Sequence, residues 1–288
     1  MNNTPKKILA CVDGSFLSET VCDFGAFFSK TLKLPLELLS TIEHSHISSR
    51  IDLSGNIGLG ARDDLLETLI DEEKNESKKA ITEAKNMLFT LQKRAHAQSA
   101  LDVKILLKHG ELYENVQEKK EEIRLLILGL RGKDHEGNAK AIGFQVEELI
   151  RTLNIPILLV NTDFKRPKKI LIAYDGSASS KKALEMVVQE PLLNDVERHI
   201  LNVHPNQSLS QLLLSEACAT IKGCEALNMR TVSLQGDSIE ALLAYQEDNA
   251  MDMIAMGAFS HSRIRDVLFG SFTSKMIFKT PKPLLLLR

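Results

Sequence analysis

The feature that most restricts the fold of this chain is an internal duplication. Residues 6–15, with the sequence KKILACVDGS, recur 162 residues later as KKILIAYDGS. Two further pairs of apolar runs follow in the same order, residues 125–129 with 253–257 and residues 155–160 with 282–287. Self-similarity over so long a period indicates two tandem copies of one unit. The total of 288 residues suits two domains of about 145 residues each.

We place the first domain at residues 1–162 and the second at residues 168–288, around a short polar linker that contains Pro167. The spacing between matched segments falls from 162 to 128 residues along the chain, so the first copy carries about 34 extra residues. The extra segment lies at about residues 45–80. It runs into a charged stretch, about residues 63–93, whose partial apolar stripe predicts a helix.

Short apolar runs alternate with helical stretches in each copy. In the second copy the predicted strands are residues 169–174, 199–203, 230–234, 252–256 and 283–287, and the predicted helices are residues 179–189, 209–227, 238–249 and 273–279. Continuous apolar strands separated by helices are typical of a parallel sheet covered on both faces. The predicted fold class is therefore α/β, with two tandem doubly wound, parallel, five-stranded sheets.

Composition excludes several classes of protein. With 36 Lys and Arg against 38 Asp and Glu, the chain lacks the basic field of a nucleic-acid binder. Its apolar runs have strand length, so we expect neither a signal peptide nor a membrane span. The four cysteines form no Cys-x-x-Cys pair and do not indicate a disulfide framework. The expected location is the cytoplasm.

The ends of the first and fourth strands of the second copy carry the residues suited to bind a ligand. Ligands of doubly wound sheets bind beyond the carboxyl ends of the strands, where the winding direction reverses. Asp175 follows the first strand, Gly257 ends the fourth, and residues 270–273 (GSFT) lead into a helix. Bare glycine backbone and the free N–H groups of a helix start favour a phosphate group. Ser271 and Thr273 add hydroxyl donors.

Cationic side chains follow the fourth strand closely, at His261, Arg263 and Arg265. They would add positive potential beside a phosphate group. Asp175 would accept a hydrogen bond from a ribose or a base.

At these residues the chain resembles the universal stress protein family, whose fold is similar to that of the adenine nucleotide alpha hydrolases. The family's nucleotide signature is Gly, two residues, Gly, nine residues, then Gly followed by Ser or Thr. The second copy reads Gly257, two residues, Ser260, nine residues, Gly270 and Ser271. Only the middle glycine is changed.

The resemblance implies roles for further residues of the second copy. The last residue of the second strand, Val203, would contact adenine through its backbone. The main chain at Ala173 and Met256 would line the base pocket, and Asp175 falls on the family's strand-one aspartate. The backbone at Phe272 would help to hold phosphate. The implied cofactor is ATP or a related adenine nucleotide, with or without Mg²⁺, and no metal site made by protein side chains is predicted.

The first copy departs further from the signature. Ten residues instead of nine separate Gly132 from Gly143, and Phe144 stands where Ser or Thr belongs. A lost hydroxyl, with bulk in its place, argues against phosphate binding there, although Asp13 would keep a partial pocket. We therefore place the nucleotide site in the second copy.

A purely structural explanation competes at each of these positions. Asp-Gly-Ser after a strand also suits a turn that ends in a helix N-cap, and Gly257 and Gly270 also suit tight packing. Their joint placement with Asp175 favours a nucleotide site. Ser260 weakens it, because a side chain is unfavourable where φ is positive.

Three functions remain open from the sequence. The leading one is a non-catalytic, ATP-binding protein of the stress response. The alternatives are a nucleotide-free scaffold, or binder of an apolar ligand, acting through its interdomain surface, and a slow ATPase. Because family members pair through their last strands, we expect a pseudo-dimer within the chain, with residues 155–160 and 284–287 at the seam. Pairing of whole chains into a homodimer stays open, and neither nucleic acid nor membrane is expected as a partner.

Overall fold

The structure is a computed structural model that describes residues 6–42, 59–130, 143–189, 196–221, 229–258 and 271–288; for residues 59–74, 189 and 271 it describes the backbone alone. The first domain contains β1 (Lys7–Cys11), α1 (Ser18–Leu32), β2 (Leu36–Ile42), α2 (Leu59–Ala97), β3 (Val103–His109), α3 (Leu112–Lys119), β4 (Ile123–Gly129), α4 (Phe144–Thr152) and β5 (Ile157–Val160). The second contains β6 (Lys169–Ala173), α5 (Ala178–Gln189), β7 (Glu197–Val203), α6 (Gln207–Thr220), β8 (Met229–Leu234), α7 (Ser238–Asp248), β9 (Met253–Gly257), α8 (Ser271–Lys279) and β10 (Leu284–Leu287).

The two five-stranded sheets join into one sheet of ten strands. Its order is β3-β2-β1-β4-β5-β10-β9-β6-β7-β8. Within each half the strands are parallel, whereas β5 and β10 pair antiparallel, with Leu158 opposite Leu285. The predicted α/β fold is confirmed, and so is the predicted seam through the last strand of each copy.

Helices cover both faces of the sheet and bury two apolar cores. On one face the core includes Phe24 of α1, Leu88 of α2, Leu184 of α5 and Leu214 of α6. The core on the opposite face takes its helical side chains from α3, α4, α7 and α8: Val116, Leu149, Leu242 and Met276. The strands are near-continuous apolar runs because both of their faces are buried.

The extra segment of the first copy lengthens a helix that the fold already contains. The second domain connects β7 to β8 through α6, which has 14 residues, and the first connects β2 to β3 through α2, which has 39. The helix predicted at about residues 63–93 is confirmed and is longer at both ends. The part of the segment at residues 45–58 lies outside the described residues.

Two features of the second domain differ from expectation. Helix α6 ends at Thr220, whereas the sequence predicted a helix to residue 227, and residues 222–228 lie outside the described part. Cys218 is disulfide-bonded, while Cys11 and Cys22 are free and buried. The spacing of the cysteines in the sequence does not predict this bond.

Within the described residues, no helix combines the length and apolar character needed to cross a lipid bilayer.

Candidate functional site

The winding direction of the second domain reverses at β6, as the sequence predicted. Ala173, at the end of β6, pairs with Leu201 of β7 on one side and with Met256 of β9 on the other. Val203 ends β7 two residues beyond Leu201. The carboxyl ends that carry the predicted base-pocket residues are therefore neighbours in the sheet.

Asp175 lies in a tight turn immediately after β6. Its Oδ1 accepts a hydrogen bond from the Ser177 backbone N–H at 2.9 Å, and the Ser177 Oγ accepts one from the Ser180 N–H at 3.2 Å. Burial acts to raise the pKa of Asp175, but hydrogen bonds from Ser177 and Ser180 outweigh it and hold that pKa below the ordinary value. The exposed carboxylate is therefore ionised near neutral pH. Ser177 also caps the start of α5, which agrees with the purely structural explanation of this turn.

Gly176 gives this turn its backbone conformation. Its φ is +78°, in the region that favours glycine, and a Cβ there would lie 2.7 Å from Cδ2 of Leu213 in α6. A side chain at this position would therefore have a strained backbone, and the end of the Leu213 side chain would have to shift to make room for it.

Gly257 lets the first turn of α5 approach the end of β9. A Cβ on Gly257 would lie 2.6 Å from the Ser179 carbonyl carbon and 2.8 Å from the Ser180 nitrogen. The glycine is thus required by packing, as the structural explanation proposed. The same contact holds the end of β9 against the helix that begins at the Asp175 turn.

An apolar wall lies on one face of the sheet beside this turn. Ala173, Met256, Val203 and Phe272 all belong to the core that α7 and α8 cover, with Val203 and Phe272 only partly buried. Thr273, in the first turn of α8, is 5% exposed, so little of its predicted hydroxyl donor reaches the surface.

Several predicted residues cannot be placed. Ser260 and Gly270 lie outside the described residues, as do His261, Arg263 and Arg265, and the side chain of Ser271 is not described. In the described part of the chain, no three His, Cys, Asp or Glu side chains form a group able to hold a metal ion.

The first domain has an open cleft at the corresponding place. The cleft measures about 470 Å³, including space open to solvent. Its lining includes Cys11, Asp13, Thr41, Leu128 and Gly129. In the repeat and in strand register, these residues occupy the places of Ala173, Asp175, Val203, Met256 and Gly257. The sequence had not singled out Thr41 or Leu128, because this copy departs from the glycine signature.

Phe144 stands where the signature has Ser or Thr, but its side chain does not fill the first-domain cleft. Its side chain is 71% exposed and is absent from the described lining. The next residue, Gln145, turns inward instead, and its Oε1 accepts hydrogen bonds from the backbone N–H groups of Leu112 and, at 3.3 Å, Tyr113. Gln145 thereby caps the start of α3 and holds α3 beside α4.

Comparisons with known proteins match both repeats. The model of the universal stress protein family matches residues 4–161 and again residues 167–288. A universal stress protein from Synechocystis sp. is 32% identical over 289 residues, which cover 98% of this chain and 100% of that protein.

Solved structures share the complete two-domain fold. A universal stress protein from Archaeoglobus fulgidus superposes with a TM-score of 0.71 at 19% identity, covering 98% of both chains. A protein of unknown function from Pseudomonas aeruginosa has a TM-score of 0.61 at 14% identity, covering 98% of this chain and 92% of that one. At such identities these similarities establish the fold.

Proposed function

Because this chain belongs to the universal stress protein family, we propose that its second domain binds ATP or a related adenine nucleotide at the carboxyl ends of β6 and β9. The observation that carries the proposal is the cleft of the first domain. Its lining residues are equivalent, in the repeat, to the residues predicted to bind nucleotide in the second domain. The repeat therefore supports an equivalent cleft around Ala173, Asp175 and Met256.

The residues of the second domain fit the parts of such a ligand. The apolar wall of Ala173, Val203 and Met256 suits the flat face of a base. The ionised Asp175 suits a ribose hydroxyl, which can donate to it. The backbone N–H groups at Phe272 and its neighbours, at the start of α8, suit phosphate oxygens. Ser260, Gly270 and Ser271 complete the proposed phosphate loop.

We propose that the bound nucleotide acts as a signal in the stress response and is not turned over. Hydrolysis needs a positioned base, or carboxylates that hold a metal ion beside the phosphates. The described residues contain no cluster of acidic and metal-ligating side chains of that kind. Mg²⁺ would then be bound through the phosphates of the ligand. The cytoplasm, which is the location we propose, would supply both ATP and Mg²⁺. Incubation with labelled ATP should release no phosphate above the rate of a boiled control.

The test of the site uses one substitution in each domain. Ala173 and Cys11 occupy equivalent places at the ends of β6 and β1 and are 9% and 8% exposed. Leucine at Cys11 would project into the first-domain cleft, and leucine at Ala173 would project into the cleft that we propose for the second domain. Calorimetric titration of the full chain with ATP should give at least a tenfold weaker affinity for Ala173→Leu and an unchanged affinity for Cys11→Leu.

The other outcomes would contradict the proposal. Weaker binding in Cys11→Leu alone would move the nucleotide to the first domain. No heat of binding for the unsubstituted protein at high micromolar ATP would remove the nucleotide altogether and favour the scaffold function.

A further inference from the structure

A second cavity lies at the seam between the two domains, on the face of the sheet that α1 and α5 cover. It measures about 480 Å³, including space open to solvent. Both domains build it: α1 and β4 line one side, and α5, β9 and β10 line the other. Its ten described lining residues include Phe28 and Leu32 of α1, Arg124 of β4, Met186 of α5, Met253 of β9 and Leu285 of β10.

The lining determines which chemistry the cavity accepts. Nine of the ten described lining residues are apolar, and Arg124 is the remaining one. The surface they present is almost entirely apolar, so a charged or strongly polar ligand would lose its hydration without gaining hydrogen bonds. The unbranched side chains of Met186 and Met253 can adapt to the shape of a ligand. Cavities between domains are also a preferred place for small-molecule sites.

We propose that this seam cavity binds a neutral, apolar small molecule, of the size of one aromatic ring or a short hydrocarbon chain. Because the 480 Å³ includes space open to solvent, the enclosed part is smaller than that, which favours a ligand of a few carbon atoms over a long lipid chain. The cavity shares no residue with the proposed nucleotide site, so the two proposals stand or fall separately. Because both domains supply its walls, an occupant would also stabilise their pairing.

Toluene is a suitable probe, and two of the lining residues can report on it. Of the eight methionines, Met186 and Met253 line the cavity, whereas Met229 and Met276 are buried elsewhere. The full chain labelled with ¹³C at the methionine methyl groups should show saturable shifts at Met186 and Met253 on addition of toluene. Met229 and Met276 should not shift. Absence of a saturable shift at Met186 and Met253, or equal shifts at all four residues, would overturn the proposal.

A pair of neighbouring substitutions separates filling of the cavity from a general effect. Leu32 lines the cavity at the end of α1, whereas Leu34 is partly buried against the same core without lining it. Leu32→Trp should weaken toluene binding at least tenfold, and Leu34→Trp should leave it unchanged. If Leu32→Trp does not fold, Leu285→Phe fills the cavity from the opposite domain and should weaken binding in the same way. Unchanged binding in the folded filling variant would overturn the proposal.

Discussion

At the residue scale, Asp175 holds the turn after β6 in place and, in the proposed site, would also accept a hydrogen bond from the ribose. Asp175→Ala removes the proposed ribose acceptor together with the acceptor for the Ser177 N–H. Hydrogen bonds to a charged group contribute about 1.5–3 kcal/mol, so ATP affinity measured by calorimetry should fall roughly tenfold to a hundredfold. The equivalent substitution Asp13→Ala in the first domain should leave the affinity unchanged. Equal affinity in Asp175→Ala and the unsubstituted protein would exclude Asp175 as a ligand contact.

Gly257 gives a prediction about stability rather than binding. The Cβ of Gly257→Ala would overlap the backbone of Ser179 and Ser180, which cannot move aside as a flexible side chain could. We expect the free energy of unfolding, measured in urea, to fall by about 1–3 kcal/mol. Gly143→Ala is the matched control, because φ is −59° there and the nearest atom, Cγ2 of Val146, is 3.9 Å away. An equal loss in both variants would contradict the packing role.

Single residues were predictable where a motif fixes the backbone. The DGS turn and the glycine that ends β9 follow from the repeat, and the structure places them together. The direction of the Phe144 side chain was not predictable, because it depends on the residue at which α4 begins. In the structure Phe144 points to solvent, and the next residue, Gln145, points to α3. The disulfide at Cys218 was missed because the spacing of the cysteines matches no known motif.

At the scale of elements, the long helix α2 is fixed to α1 by its C-terminal part. Leu88, Leu91 and Ala95 are buried there. Next to them, the buried carboxylate of Asp23 in α1 accepts from Arg94 Nε at 2.6 Å and Nη2 at 2.8 Å. This bidentate pair has the planar geometry that Arg and carboxylates favour. The C-terminal part of α2, from which the added length extends, is therefore anchored by packing and by an ion pair.

Asp23→Ala tests this anchor. It leaves Arg94 without its buried partner, but Arg94 is 40% exposed, so solvent reduces the cost below that of a fully buried pair. We expect the free energy of unfolding in urea to fall by about 1–3 kcal/mol. The exposed pair of Lys79 and Glu83 provides the control, since Glu83→Ala should change stability by less than about 0.5 kcal/mol. A similar effect of both substitutions would show that the bidentate pair contributes no anchor.

Elements were predictable because strands and helices have different apolar periods. Predicted and observed strand bounds in the second domain differ by at most two residues. The sequence located the insertion but did not show that it continues a helix of the basic fold. That continuity depends on Leu88 and Leu91 packing where the second domain packs α6, which is a tertiary property.

At the scale of the whole molecule, the antiparallel pairing of β5 and β10 makes one sheet of the two halves. Three residue pairs form the seam, Ile157 with Leu286, Leu158 with Leu285 and Leu159 with Leu284. Each of these strands is apolar and would be an exposed edge in an isolated domain, where it would invite aggregation. The repeat predicted two similar halves, and the family resemblance predicted that they pair through the last strand of each. The apolar periodicity of the sequence alone does not show which edge strands of the two sheets pair.

The seam predicts a strong effect of charge on stability. Leu158 is fully buried, so the carboxylate of Leu158→Asp would have no water and no partner in the core. Stability in urea should fall by about 3 kcal/mol or more, and both domains should become sensitive to protease. Leu101→Asp, at a residue that is 44% exposed, should cost less than about 0.5 kcal/mol. Protease sensitivity confined to the first domain would show that the seam does not couple the two halves.

The central claim, that the second domain is the nucleotide site, is tested most directly by a crystal structure of the full chain grown with ATP. We predict density for the nucleotide beyond the carboxyl ends of β6 and β9, with a ribose hydroxyl within hydrogen-bonding distance of Asp175. The base should lie against Ala173 and Met256. Density in the first-domain cleft beside Cys11 and Leu128 with none in the second domain, or no nucleotide at a saturating concentration, would contradict the account.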